Sequence, residues 1–178
     1  HQGVVAFLSA VEYYTLDSLV PELYEAGQVP FVVLLDGVTD VRNFGAIART
    51  CACAGADALI IGTHGSVAIN GDAVKTSAGA LYHLPVCKVE NLQNCLQFLR
   101  DSGFHVVAAT EHATQNYTEA DMTAPTAIVM GSEEKGIYEQ NLRICSHQVR
   151  IPMSGVIESL NVSVAAGVML YEAVRQRG

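Results

Sequence analysis

The chain lacks any long apolar run. Its longest hydrophobic stretches are of strand length, so no segment is expected to span a membrane, which takes about 20 residues. Its first residues lack a basic region followed by an apolar core, so no secretory signal is expected either. There is no C-x-x-C, and the five cysteines (Cys51, Cys53, Cys87, Cys95 and Cys145) are odd in number. Neither a disulfide framework nor a zinc knuckle is indicated, and buried free thiols in a reducing cytoplasm are the simplest account. Basic residues are scarce: 10 Lys and Arg stand against 18 Asp and Glu, for a net charge of −8. That balance argues against a general nucleic-acid-binding surface, because phosphates would be repelled at long range. Any RNA contact requires a local basic patch or another domain. The phosphate cradles are missing too. No G-x-G-x-x-G follows the first strand and no G-x-x-x-x-G-K-[ST] occurs, so a dinucleotide or NTP site of the usual kind has no anion seat. There is no H-E-x-x-H and no clustered His, Cys and Asp set for a metal, and no G-x-S-x-G elbow.

What remains is an apolar chain. Half of its 178 residues are hydrophobic and 16% are charged, which suits one domain with a buried α/β core. Residues 4–14 are apolar and partly alternating, a strand or a linker arm. Leu16, Leu19, Leu23 and Ala26 then recur at helical spacing up to Gly27. Six short apolar strands are predicted at 31–35, 58–61, 84–89, 105–110, 126–130 and 148–151, with helical patterns between most of them. Continuous apolar strands alternating with helices predict a mostly parallel sheet with helices on both faces. Ligands of such sheets bind beyond the carboxyl ends of the strands, here the loops 36–43, 110–112, 131–136 and 151–161. A cofactor without phosphates fits this edge.

The most informative stretch is the last. Residues 151–157 combine Pro, Ser and Gly as in an irregular loop leaving a strand. From Ser159, a plausible N-cap, Leu160, Val164, Val168 and Tyr171 recur at helical spacing, with the small residues Ala165, Ala166 and Gly167 between them. A helix apolar nearly all round must be buried, in a core or against another subunit.

Three segments of this frame resemble the signature motifs of the SpoU–TrmH family of RNA ribose methyltransferases, in the SPOUT superfamily. Asn43-Phe-Gly-Ala-Ile-Ala-Arg-Thr50 resembles the first, N-x-G-A-I-x-R-T. Met130-Gly-Ser-Glu-Glu-Lys-Gly-Ile137 resembles the second, G-x-E-x-x-G-[LI]. Ile151-Pro-Met-Ser-Gly with Ser159-Leu-Asn-Val-Ser163 and Ala165 resembles the third. They occur in the family's order and extend from about Phe31 to the end. The resemblance implies a deep trefoil knot at the C-terminus and a bent S-adenosyl-L-methionine held largely by backbone groups. It implies cofactor contacts at Ala109, Thr110, Gly131, Ser132, Glu133, Ile151, Met153, Ser159, Leu160 and Asn161. It implies methylation of a ribose 2′-hydroxyl, with Arg49 as base or charge stabiliser and Asn43, Glu133, Ser159 and Asn161 orienting it and the ribose. Arg42 and Arg49 would form a basic stripe for RNA. A homodimer through the closing helix is implied, with no membrane or metal partner. The wording of the third motif and the His1-Gln-Gly junction resemble the subgroup that modifies a guanosine in large-subunit ribosomal RNA, with transfer RNA as the alternative. On this reading residues 1–28 are a linker and N-terminal helix, residues 29–178 are the catalytic domain, and a small RNA-binding domain precedes His1.

Two other readings stay open at this level. One is a non-catalytic RNA-binding paralogue, against which the intact Asn43, Arg49, Glu133 and Asn161 weigh. The other is a nicotinamide-dependent enzyme, disfavoured by the missing glycine fingerprint. Calorimetry with each cofactor separates enzyme classes, and a methyl-transfer assay separates enzyme from paralogue.

Overall fold

Apolar strands buried on both faces need a helical layer on each side, and that is the architecture found. The computed structural model describes residues 11–178. Most of the 4–14 stretch lies outside the described residues. Within its end, Tyr13 bridges in parallel to Val86, and the Tyr14 amide donates to the Val86 carbonyl at 2.8 Å. Seven strands form one sheet: β1 (Phe31–Asp36), β2 (Ala58–Gly62), β3 (Val86–Val89), β4 (His105–Ala109), β5 (Gln115–Asn116), β6 (Thr126–Gly131) and β7 (His147–Arg150). Their order is β3-β2-β1-β6-β4-β7-β5, and every pairing is parallel. The helices are α1 (Leu16–Glu25), α2 (Val41–Ala54), α3 (Gly71–Thr76), α4 (Leu92–Asp101), α5 (Glu139–Leu142) and α6 (Val162–Arg177). Six strands had a sequence signal. The seventh, β5, is two polar residues long and carries no apolar pattern to read.

Side chains along β1 alternate between two cores. Phe31, Val33 and Leu35 pack with Phe44, Ile47 and Cys51 of α2 and with Ala166, Met169 and Leu170 of α6. Val32 and Leu34 pack with Leu16 and Val20 of α1 and with Leu96 and Leu99 of α4. Burying each such aliphatic side chain contributes about 1.5–3 kcal/mol relative to exposure. None of the helices among the described residues is long and apolar enough to cross a membrane.

Two helix starts differ from the sequence reading. Helix α2 begins at Val41 because Asp40 caps it, its carboxylate accepting the Asn43 amide at 3.0 Å. Asn43 therefore sits in the first turn, and Arg42 is helical, two turns before Arg49. The pattern put the cap of the closing helix at Ser159, but the cap is Asn161. Its Oδ1 accepts the Ser163 and Val164 amides at 3.0 and 3.3 Å. An asparagine can cap with its oxygen and still give two N–H donors from its nitrogen, whereas a serine hydroxyl has a single hydrogen to donate. The small residues also resolve to intrachain packing. Ala166 is fully buried, and a Cβ on Gly167 would stand 3.9 Å from Thr50 Cγ2 of α2.

Chain direction places the crevice. From β1 the chain steps outward through β2 to β3, crosses to β4, and returns in β6 beside β1. The neighbouring carboxyl ends of β1 and β6 are thus where the winding reverses, the place where open α/β sheets bind ligands.

Candidate active site

The turn after β6 is built by a close approach of the backbone to itself. A Cβ on Gly131 would stand 2.2 Å from the carbonyl carbon of Gly136, so no side chain fits there. The Gly136 amide donates to the Ser132 carbonyl at 2.8 Å, and the Lys135 amide donates to Ser132 Oγ at 3.1 Å. Gly136 itself has φ +65, open to glycine without strain. This turn carries Glu133.

Glu133 is the hub of the site. Its Oε1 accepts from Asn161 Nδ2 at 2.7 Å and from the Val162 amide at 3.0 Å. Asn161 Nδ2 also donates to Asn43 Oδ1 at 3.0 Å. Asn161 therefore uses both ends of its amide, capping α6 with the oxygen and tying α2 to the 131–136 turn with the nitrogen. A carboxylate at the first turn of α6 further matches the positive end of that helix. Three segments far apart in sequence meet through four hydrogen-bonding atoms.

Behind the turn lies a residue the sequence reading passed over. Asp36 ends β1 at 2% exposure, and its Oδ2 accepts from the Tyr138 amide at 3.0 Å and from Asn141 Nδ2 at 2.9 Å. These two bonds pin the chain leaving the turn to the central strand. The available signal was a carboxylate closing an otherwise apolar strand. Cys145 sits behind this cluster and donates to the Asn141 carbonyl at 3.3 Å. Burial, followed by the nearby Asp36 charge, pushes its thiol up to about 12, so it is not a nucleophile. All five cysteines are free: Cys51, Cys87 and Cys95 are buried as expected, Cys145 is half-buried, and Cys53 is exposed on α2.

The structure gathers some of the predicted residues and leaves others apart. Asn43, Glu133 and Asn161 form one network. Ala109, Gly131 and Ile151 lie at the ends of the adjacent strands β4, β6 and β7, and the Thr110 amide donates to the Val149 carbonyl at 2.8 Å. Ser132 belongs to the turn. Met153 and Leu160 are 40% and 36% exposed on a loop whose residues 152–160 are all exposed. Ser159 is exposed on it, with no side-chain hydrogen bond among the described residues. Arg42 and Arg49 stand exposed on the outer face of α2, and neither forms an ion pair or side-chain hydrogen bond among the described residues. Arg49 thus does not join the Asn43–Glu133–Asn161 network within one chain.

Beside that network, between the ends of β1 and β6, lies a cavity of 350 Å³. Asn43, Glu133 and Val162 form part of its wall.

Residues 30–171 match the SpoU rRNA Methylase family. The chain belongs to that family. It is 40% identical to the 23S rRNA (guanosine-2′-O-)-methyltransferase RlmB of Yersinia pestis, over all of this chain and 72% of that protein. It is 39% identical to the protein of the same name from Photorhabdus laumondii, over 99% of this chain and 72% of that protein. Among solved structures, the AdoMet-bound rRNA methyltransferase of Sinorhizobium meliloti superposes with a TM-score of 0.83 at 29% identity, covering 92% of this chain and 61% of that one. The SpoU methyltransferase AviRb of Streptomyces viridochromogenes, in complex with AdoMet, gives 0.77 at 33% identity, covering 84% and 58%. The chain thus spans about 60% of the length of these two structures.

Proposed function

We propose that this chain is the catalytic domain of an S-adenosylmethionine-dependent methyltransferase that methylates a ribose 2′-hydroxyl in RNA. The observation that carries the reading is the Asn43–Glu133–Asn161 network, which ties all three sequence motifs into one place at the carboxyl edge of the sheet. Ribosomal RNA is the preferred substrate, because the curated relatives named for a single RNA carry the name of a 23S rRNA methyltransferase, while a tRNA-modifying enzyme superposes at lower identity.

The residues present fit the cofactor. The loops 109–111, 130–134 and 151–161 leave three adjacent strands, β4, β6 and β7, and offer backbone edges rather than a cluster of basic side chains. Their closeness supports a trefoil-knotted path through the last two loops, the family's topology, against a general tendency of chains to avoid knots. When bound, S-adenosylmethionine supplies a methyl group already activated on a sulfonium. The remaining difficulty is the acceptor, a weak acid that must be held in line at near-attack distance. Glu133 and Asn161 hold each other and Asn43 in register, so the wall against which the ribose rests is fixed before the RNA arrives. Arg49, which as an arginine stays protonated, acts as a cation toward the alkoxide developing on the ribose oxygen.

Arg49 stands outside the network of its own chain, so a second copy completes the site. The surface for that copy is apolar: Val156 and Ile157 are 96% and 77% exposed, and Val164 and Tyr171 of α6 are 51% and 48% exposed. Homodimerisation covers these side chains and the Ser159–Leu160 loop. A chain working on cytoplasmic RNA would itself be cytoplasmic.

Calorimetry with S-adenosylmethionine is expected to give one site per chain, and mapping of ribose methylation in ribosomal and transfer RNA from cells lacking the gene is expected to show one missing mark in the large-subunit RNA. A chain that binds NAD instead, or cells with unchanged ribose methylation, would overturn the reading.

A further inference from the structure

The 350 Å³ cavity beside the network shares Ser132 and Glu133 with the expected cofactor contacts and is otherwise lined by different residues. Its size sits at the low end of the roughly 300–1,000 Å³ usual for ligand sites, enough for one nucleoside and too small for a strand. Its wall carries three carboxylates, Asp40, Glu133 and Glu134, against one ammonium, Lys135. Such a lining repels a phosphate and favours a group rich in N–H donors. Asp40 is occupied capping α2, and Glu133 is occupied by Asn161 and Val162. Glu134 is exposed and makes no ion pair or hydrogen bond among the described residues. The Lys135 ammonium is likewise free there, only its main-chain amide being engaged. One aromatic residue also lines the cavity. Tyr138 is 48% exposed, and its amide is held at 3.0 Å by the buried Asp36 carboxylate, so the residue bearing the ring is anchored to the central strand. An anchored aromatic face left open to water in a cavity is a stacking platform.

We propose that this cavity receives the base of the acceptor nucleotide, with Tyr138 stacking on it and the adjacent Glu134 and Lys135 reading a guanine edge. The inference rests on the methyltransferase reading. Guanine presents N1–H and N2–H₂ donors next to its O6 acceptor, so a carboxylate beside an ammonium matches it. Adenine presents an acceptor at N1, which a carboxylate rejects. Single-stranded RNA is commonly read this way, by stacking on an aromatic ring and hydrogen bonding to the Watson–Crick edge. The base would then lie beside Asn43 and Glu133, which places its ribose at the network.

The test uses the whole chain saturated with S-adenosylhomocysteine and titrated with GMP, IMP and AMP at millimolar concentration, read by amide shifts in two-dimensional NMR. GMP is expected to shift the Gly37, Thr39 and Tyr138 amides, with IMP weaker and AMP weaker still. Glu134→Gln is expected to reduce the preference for GMP over AMP by roughly tenfold, the scale of one lost bidentate contact. Tyr138→Ala is expected to weaken all three nucleotides alike, and Tyr138→Phe to keep them. Equal binding of GMP and AMP by the wild type, shifts elsewhere on the chain or no shifts at all would overturn the proposal. So would S-adenosylhomocysteine alone moving those three amides, because the cavity would then be the cofactor's. If S-adenosylhomocysteine gives no binding heat at all, the methyltransferase reading itself fails. If it binds and the cavity stays silent, only this inference fails.

Discussion

Helices α2 and α6 lie side by side on the same face of the sheet, both start at its carboxyl edge, and they differ in what they show to water. On α2, Phe44, Ile47, Ala48 and Cys51 are buried, and the outer face carries Arg42 and Arg49. It is an ordinary amphipathic helix. On α6, Val162, Ala166, Met169, Leu170 and Ala173 are buried, yet the outer face carries Val164 and Tyr171, about half exposed. Its one buried charge, Glu172 at 5% exposure, is satisfied by two bonds of 2.8 Å from Arg175 and one of 2.7 Å from Gln176, and the Arg175 hydrogen bonds hold its carboxyl below the usual range. One helix thus presents two exposed cations on its outer face, and the other presents two half-exposed apolar side chains. The difference predicts that their outer faces fail in different assays.

The largest effect is expected on the outer face of α2. Arg49→Ala should cut single-turnover methyl transfer by roughly two or more orders of magnitude, the scale of losing a charge-stabilising group, while cofactor affinity by calorimetry stays within a few-fold. Near-normal transfer would return Arg49 to a surface arginine and remove the contrast. The next effect is on the edge of α2 that packs on α3. A Cβ on Gly45 would stand 2.0 Å from Thr76 Oγ1 and 2.8 Å from the Thr76 carbonyl carbon, so Gly45→Ala forces backbone to move. A loss of about 1–3 kcal/mol is expected from such overpacking, several degrees in Tm. An unchanged melting curve would mean that the α2–α3 approach is not fixed. Third, the wild type is expected to sediment as a dimer, and Tyr171→Glu on the outer face of α6 should leave the circular dichroism unchanged and give a monomer of about 19 kDa at micromolar concentration. A wild type that already sediments as a monomer would break the comparison on the α6 side. The smallest effect is Arg42→Ala, which should weaken RNA binding modestly and lower its salt sensitivity by about one phosphate contact, with transfer at saturating RNA unchanged. An unaltered salt slope would confine the RNA role of α2 to Arg49.

Legibility followed the range of the interactions. Strands 31–35 and 126–130 were plain because Phe31–Leu35 and Ala127–Met130 are unbroken runs of apolar residues buried on both faces. Strand β5 was not, because two polar residues acquire strand geometry only from β7 beside them. The residues Asn43, Glu133 and Asn161 were picked out through their motifs. Asp36 was missed because its partners, Tyr138 and Asn141, are more than a hundred positions away and nothing local announces them. The closing helix was read from its apolar spacing, and that spacing ran two residues too far. Leu160 extends the periodic stripe, but the helix starts only after Asn161, where the cap satisfies free amides.

Taken alone, the sequence determined the α/β class, the two-sided burial of the sheet and the residue types available for chemistry, because period and composition are properties of neighbours along the chain. Tertiary structure alone decided that Asn161 rather than Ser159 caps α6, that the small residues of α6 face α2 within the chain, and that Arg49 stands apart from the network its motif suggested. The first outcome goes with the bonds from Asn161 to Asn43 and Glu133, the second with van der Waals contact between α6 and α2, and the third with the face of α2 that the sheet leaves outside; each joins or separates residues far apart in sequence, which only the folded chain does.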